Sequence, residues 1–225
     1  MTAPTADPPY PTSDDGLPGG RPSRQRLPPP LRMAQILDAA LSVFHEKGFA
    51  ASRIDDIALR AGLSKGGVYA HFDSKEEIFE ALIDRSLTMP AGLDEAALAP
   101  GQTVTVDLLV ERVIDPVYRL LARPETAMTL RLVMADGRQV QGLVERWQRA
   151  VLDPFASAVE RLVRRAVRQG SLGQGVLTAS PWLLMAPIAQ VVLWQLMHGQ
   201  GEGAPVTLEQ QRRSHIALLR EALAP

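Results

Sequence analysis

From Leu31 onward the apolar positions recur with the period of an α-helix. Ile36, Leu37, Ala40, Leu41 and Phe44 fall on one helix face, and Gly48 stops that helix. A second apolar set, Ile54, Ile57, Ala58 and Ala61, ends at Gly62. Ser52 and Asp55 have the spacing of a capping box at its start, the hydroxyl accepting a backbone N–H and the carboxylate reaching back. Leu63 packs inward, Ser64 caps a short third helix to Phe72, and Ser74 caps a fourth that runs to about Met89. Glu76 and Glu77 sit in the first turn of that fourth helix, where its dipole favours acids, and Pro90 ends it. Beyond a Gly/Ala/Pro-rich link at 90–102 the spacing predicts longer helices at 103–122, 124–136, 139–169, 180–198 and 207–223. Pro116, Pro154 and Pro187 fall inside three of these and are expected to kink or break them. No segment alternates with the period of a strand. The expected fold is all-α.

The first thirty residues depart from this pattern. They hold nine of the 18 prolines, a composition that cannot bury enough apolar surface to order itself. Residues 1–30 are therefore expected to form a disordered arm. Its end is basic, with Arg21, Arg24, Arg26 and Arg32. Such a stretch is either a solubilising tail or an arm lying along phosphates or in a minor groove, with Arg24, Arg26 and Arg32 as the contacts. The net charge of −1 hides an asymmetry: residues 21–75 carry nine Lys/Arg against five acids. A basic excess confined to one small region fits nucleic-acid contact there.

The absence of cysteine excludes cysteine nucleophiles, disulfide frameworks and Cys-ligated metals. The four histidines show no metal-ligand spacing, and no cofactor or metal is expected. No apolar run reaches the ~18 residues of a membrane span. The nearest, Trp182–Met197, is interrupted by Pro187, Gln190 and Gln195. The first thirty residues also lack the apolar core of a secretory signal. A cytoplasmic protein without membrane contact is expected.

Residues 52–72 read helix, tight turn, helix, with Gly62-Leu63-Ser64 as the turn. In a helix-turn-helix the second helix enters the major groove by its N-terminal end. Val68 and Phe72 face the core, and opposite them lie Gly66, Gly67 and Ala70, small enough for close approach to a groove. Tyr69 and His71 flank that face, and Lys65 in the first turn reaches a phosphate or a guanine edge. Ser52, Ser64, Lys75 and the nearby helix N-termini are further anchors. The competing reading is a purely structural trihelical unit whose glycines serve tight packing.

The stretch Ile36–Leu87 resembles the N-terminal domain of the tetracycline-repressor (TetR/AcrR) family. The matching residues include Ile36-Leu37-Asp38-Ala39-Ala40, Phe44, Gly48-Phe49, Ile57-Ala58, Ala61-Gly62-Leu63-Ser64-Lys65-Gly66, Val68-Tyr69, His71-Phe72 and Ser74-Lys75-Glu76. The resemblance implies DNA binding, with Ser52, Tyr69, His71 and Lys75 on phosphates and Lys65, Gly66 and Gly67 approaching bases. Position 67 is usually Thr, Ser or Ala in the family and is Gly here, which removes a hydroxyl or methyl contact. The resemblance thins after about residue 90.

Gly62-Leu63-Ser64-Lys65-Gly66 also satisfies the G-x-S-x-G of a nucleophile elbow, which requires a strand before it and a helix after. Here a capped helix precedes, so no enzyme is expected. Segment 180–198 is apolar nearly all round, so it should bury one face in its own domain and another against a second chain. Leu193, Trp194 and Met197, with Ile216 and Leu219 from 207–223, are the expected interface of a homodimer. Met128, Met134, Trp147, Phe155, Trp182 and Met185 either line an effector cavity or are ordinary core.

The expected organisation is an arm (1–30), a helix-turn-helix domain (31–75) and a helical effector-binding and dimerisation domain (76–225) that begins with connecting helix 74–89. The expected function is a ligand-responsive regulator, a repressor held on a double-stranded inverted-repeat operator as a homodimer and released by a small apolar or amphipathic effector. Two alternatives stand beside it: an effector-independent architectural DNA-binding dimer, and an effector-binding module that has lost DNA specificity.

Overall fold

The computed structural model describes residues 28–93, 98–99, 101–136, 139–198 and 206–225. Most of residues 1–30, with Arg24 and Arg26, lies outside them. Among the described residues every regular element is helical.

The first helix, α1 (Pro29–Lys47), opens on prolines whose fixed φ suits a first turn. It buries Ile36, Leu37, Ala40, Leu41 and Phe44, the face its periodicity predicts, and ends at Gly48. The second, α2 (Ile54–Arg60), buries Ile54, Ile57 and Ala58. Its start differs from the expected capping box. Arg53 is the cap position, and its backbone N–H donates to Asp56 Oδ2 at 3.0 Å. Ser52 lies one step outside the helix, 3% exposed, its hydroxyl donating to the Gly48 carbonyl at 2.6 Å. Then follow α3 (Lys65–Tyr69), capped by Ser64, and α4 (Lys75–Ser86), capped by Ser74. Three rings tie these helices together: Phe44, Phe49 and Phe79, with centroids 5.0 to 5.8 Å apart.

The expected long helices contain the prolines by changing their winding. The first consists of α5 (Val106–Leu109), a π-helical turn (Val110–Ile114) and α6 (Asp115–Leu121), with Pro116 in the first turn of α6. After α7 (Pro124–Asp136) the pattern repeats: α8 (Gln141–Trp147), a π-helical turn (Gln148–Leu152) and α9 (Asp153–Arg168), with Pro154 again near the start. A proline ring in an α-helix clashes with the carbonyl four residues back. A π turn directly before each Asp-Pro shifts that carbonyl, so the chain continues in nearly the same direction. Next come a short α10 (Val176–Ala179), a 3-10 turn (Pro181–Met185), α11 (Ala186–His198) and α12 (Leu208–Ala222). The expected helix 180–198 is thus divided just before Pro187.

Two apolar cores result. The first is built from α1 to α4, yet it also takes in Leu132 of α7, Val140, and Leu143 of α8. The second collects residues of α5, α6, α9, α11 and α12. Leu130 packs against both.

Candidate nucleic-acid interface and ligand cavity

The turn between α2 and α3 follows from one glycine. Gly62 has φ +65°, a left-handed conformation that a side chain disfavours. Its N–H donates to Leu59 O at 3.1 Å, and the Leu63 N–H donates to Ala58 O at 2.8 Å. These two bonds form a Schellman motif and turn the chain sharply. Ser64 then accepts the Gly67 N–H at 3.1 Å and starts α3. Ser64 is therefore held as a helix cap between two helices, and α2 stands directly before it where a nucleophile elbow has a strand.

Val68 and Phe72 anchor α3 in the first core. Its opposite side faces solvent: Ser64, Lys65, Gly66, Tyr69 and Ala70 are exposed, Tyr69 by 45%. Nothing lies within 4 Å of where a Gly66 Cβ would sit. Gly67 instead faces back toward the turn, where a Cβ would stand 3.4 Å from Ser64 Oγ. His71 and Arg32 are half-buried beside this surface. Lys65 Nζ pairs with Asp55 Oδ2 at 2.9 Å, an exposed contact that holds the ammonium charge and that a stronger anion can displace.

Two of the expected anchors are committed inward. The Ser52 hydroxyl donates to the Gly48 carbonyl. Lys75 Nζ donates to the carbonyls of Phe49 at 2.6 Å, Ser52 at 3.0 Å and Ala50 at 3.4 Å, and it stands 4.3 Å over the Phe49 ring. All three of its N–H groups are thereby used. Lys75 ties the α1–α2 connection to the start of α4.

Polar links join this head to the body. The Phe49 N–H donates to Asp136 Oδ2 of α7 at 2.9 Å. Thr126 of α7 donates to the Ser86 carbonyl at the end of α4 at 3.0 Å. Arg146 of α8 donates to Glu80 of α4 through two nitrogens, at 3.0 and 3.3 Å. Periodicity gave no sign of these ties, because each joins distant parts of the chain.

Beneath the head lies a cavity of about 970 Å³, walled mainly by apolar side chains from α6, α7, α9, α11 and the π turn before α9. Of the residues that the sequence left open between cavity wall and core, Met134, Trp147, Phe155, Trp182 and Met185 line it. Met128 does not; it packs against the first core. On the rim, Trp182 is 71% exposed, Met134 69% and Leu193 56%.

The outer face of α11 also carries the exposed Met197, while Ile188 and Val191 on the other side are buried. Trp194 is half-buried. On α12 the expected interface positions shift. Leu219 is 2% exposed and belongs to this chain's interior, while Ile216 is half-buried and packs on the edge of the second core. Among the exposed positions of α12 are Ser214, Ala217 and Leu218.

A three-helix head with an exposed turn-supported helix, set on a helical body with an apolar cavity, is the architecture of a helix-turn-helix regulator. The model of bacterial regulatory proteins of the tetR family matches residues 36–82. The HTH-type transcriptional regulator SrpR of Pseudomonas putida is 30% identical over 142 residues, 61% of this chain and 62% of its own length. The uncharacterised HTH-type transcriptional regulator TtgW of Pseudomonas putida is 31% identical over 114 residues, 49% of this chain and 78% of its own. The chain thus spans less than two thirds of SrpR, the first of these curated relatives. The crystal structure of NalD, the secondary repressor of the MexAB-OprM multidrug efflux pump in Pseudomonas aeruginosa, superposes with a TM-score of 0.65 at 20% identity, over 88% of this chain and 98% of NalD. The chain belongs to the tetR family.

Proposed function

We propose that this protein is a ligand-responsive repressor that binds an inverted-repeat DNA operator as a homodimer and leaves it when a small apolar or amphipathic molecule occupies the cavity. The observation that carries the reading is the free outer face of α3, with Lys65, Gly66, Tyr69 and Ala70 standing clear of both cores. Lys65 and Tyr69 supply hydrogen bonds to phosphates and base edges, and the bare Gly66 lets the backbone close on the groove. Ser64, Gly67 and His71 border this contact, and Arg32 extends it toward the arm. Occupancy alone blocks a promoter, so no catalytic group is required.

Release requires that the effector prefer the arrangement in which the two heads do not fit DNA. Leu130 supports such coupling, since it lines the cavity and packs on both cores. The links from Asp136, Thr126 and Arg146 carry a displacement of α7 or α8 into the head. Two heads in a dimer would meet half-sites about one helical turn, ~34 Å, apart or a multiple of it.

The test is fluorescence anisotropy on DNA from upstream of the protein's own gene, with a scrambled duplex at the same salt. A preference of ~10³ or more is expected of a specific binder. Tyr69→Ala should weaken the specific complex while leaving the assembly state unchanged by light scattering. Equal binding to scrambled DNA at every candidate site would favour an architectural role. No binding at low salt would favour an effector module without DNA recognition.

A further inference from the structure

We propose that the cavity takes an amphipathic organic cation, a protonated or quaternary nitrogen carried on an apolar body. This rests on reading the cavity as an effector site, and it adds the sign of the ligand. Helix α9 presents Asp153, Ala156, Ser157 and Glu160 to the cavity, the spacing of one helix face. Asp153 and Glu160 are the charged side chains of the lining; no Lys, Arg or His is among its described residues.

The two carboxylates differ in what they already hold. Glu160 accepts a hydrogen bond from Arg164, one turn further along α9 and outside the lining. Asp153 forms no ion pair among the described residues. A negative group beside an apolar cavity loses hydration when a ligand seals the cavity, and only a positive charge on that ligand restores the balance. A carboxylate-bearing ligand such as a fatty acid would meet the unpaired Asp153 and the already paired Glu160, with no Lys, Arg or His in the lining to receive it. The indole rings of Trp147 and Trp182 add electron-rich faces that attract cations. Seven residues of helix place the two carboxylates roughly 10 Å apart along the axis, within the reach of one drug-sized molecule. The volume, about 970 Å³, is ample for such a body.

The experiment compares three probes of nearly one shape on the full chain by calorimetry and by tryptophan fluorescence: tetraphenylphosphonium, tetraphenylborate and the neutral triphenylphosphine oxide. Tetraphenylphosphonium is expected to bind at least about tenfold more tightly than tetraphenylborate. The double variant Asp153→Asn, Glu160→Gln should lose that preference. Asp153 is exposed at the mouth and Glu160 is half-buried, so its thermal melt should match that of the parent. A borate that binds as well as the phosphonium overturns the inference, as does a preference that survives in the double variant. If all three probes bind alike, the sign is wrong and the effector reading stands. If none binds, the effector reading falls as well, and operator binding is judged separately by the anisotropy measurement.

Discussion

Lys75 shows how a residue's surroundings add a second role to the one its spacing implies. Its resemblance to a family phosphate contact placed it on DNA, while its three hydrogen bonds to carbonyls place it under the head. Replacing it by Met keeps the stem over Phe49 and removes the ammonium. The expected loss is about 1–3 kcal/mol of head stability, the worth of hydrogen bonds from a charged donor to partly buried carbonyls. A urea melt should show that loss, with the salt dependence of operator binding unchanged. A salt slope lowered by about one with an unchanged melt would return Lys75 to the phosphate backbone. The core side of α3 was legible from spacing, because Val68 and Phe72 are four residues apart and both apolar. The cap of α2 was not. Asp55 and Asp56 are adjacent carboxylates, and pattern alone does not choose between them; the Gly48 carbonyl, which captures Ser52, makes the choice.

At the scale of elements, periodicity located the helices but not their winding. A π turn inserts one residue without disturbing the apolar character of its neighbours, so Val110–Ile114 and Gln148–Leu152 read as ordinary helix in the sequence. The seat of α12 was equally hidden. His215 is buried with its Nε2 2.9 Å from the Leu184 carbonyl and its Nδ1 3.3 Å from the Tyr118 hydroxyl. A carbonyl only accepts, so Nε2 carries the proton and Nδ1 accepts from Tyr118. Burial lowers the pKa of His215 against the raising effect of the Leu184 bond, and burial pushes the Tyr118 hydroxyl up to about 12. Because the folded imidazole takes up its proton less readily than the unfolded one, stability is full above the ordinary value of 6.5 and declines as pH falls below it. The melting temperature should therefore drop between pH 7 and pH 5. His215→Gln, which keeps one donor and one acceptor, should flatten that dependence, and an equally steep drop in the variant would assign it elsewhere.

For the whole molecule, the all-helical plan and a few residues of the cavity wall could be read from the chain, but the empty space between those side chains could not. Periodicity reports which residues avoid water, not whether they fill the volume they enclose. It likewise did not separate the two sides of α12: Leu219 turns inward, Ile216 is half-buried, and the exposed apolar side chains of the α11–α12 pair are Leu193, Met197 and Leu218. If that surface is the dimer contact, Leu193→Asp buries a charge there, and light scattering should then report a monomer. A dimer that persists would move the contact to another face.

Leu132, Val140 and Leu143 belong by position to the body and by packing to the head. A chimera cut after α4 would therefore join a foreign body to a head whose floor is missing. Exchange of heads between regulators of this build should succeed only when these three residues travel with the head they support.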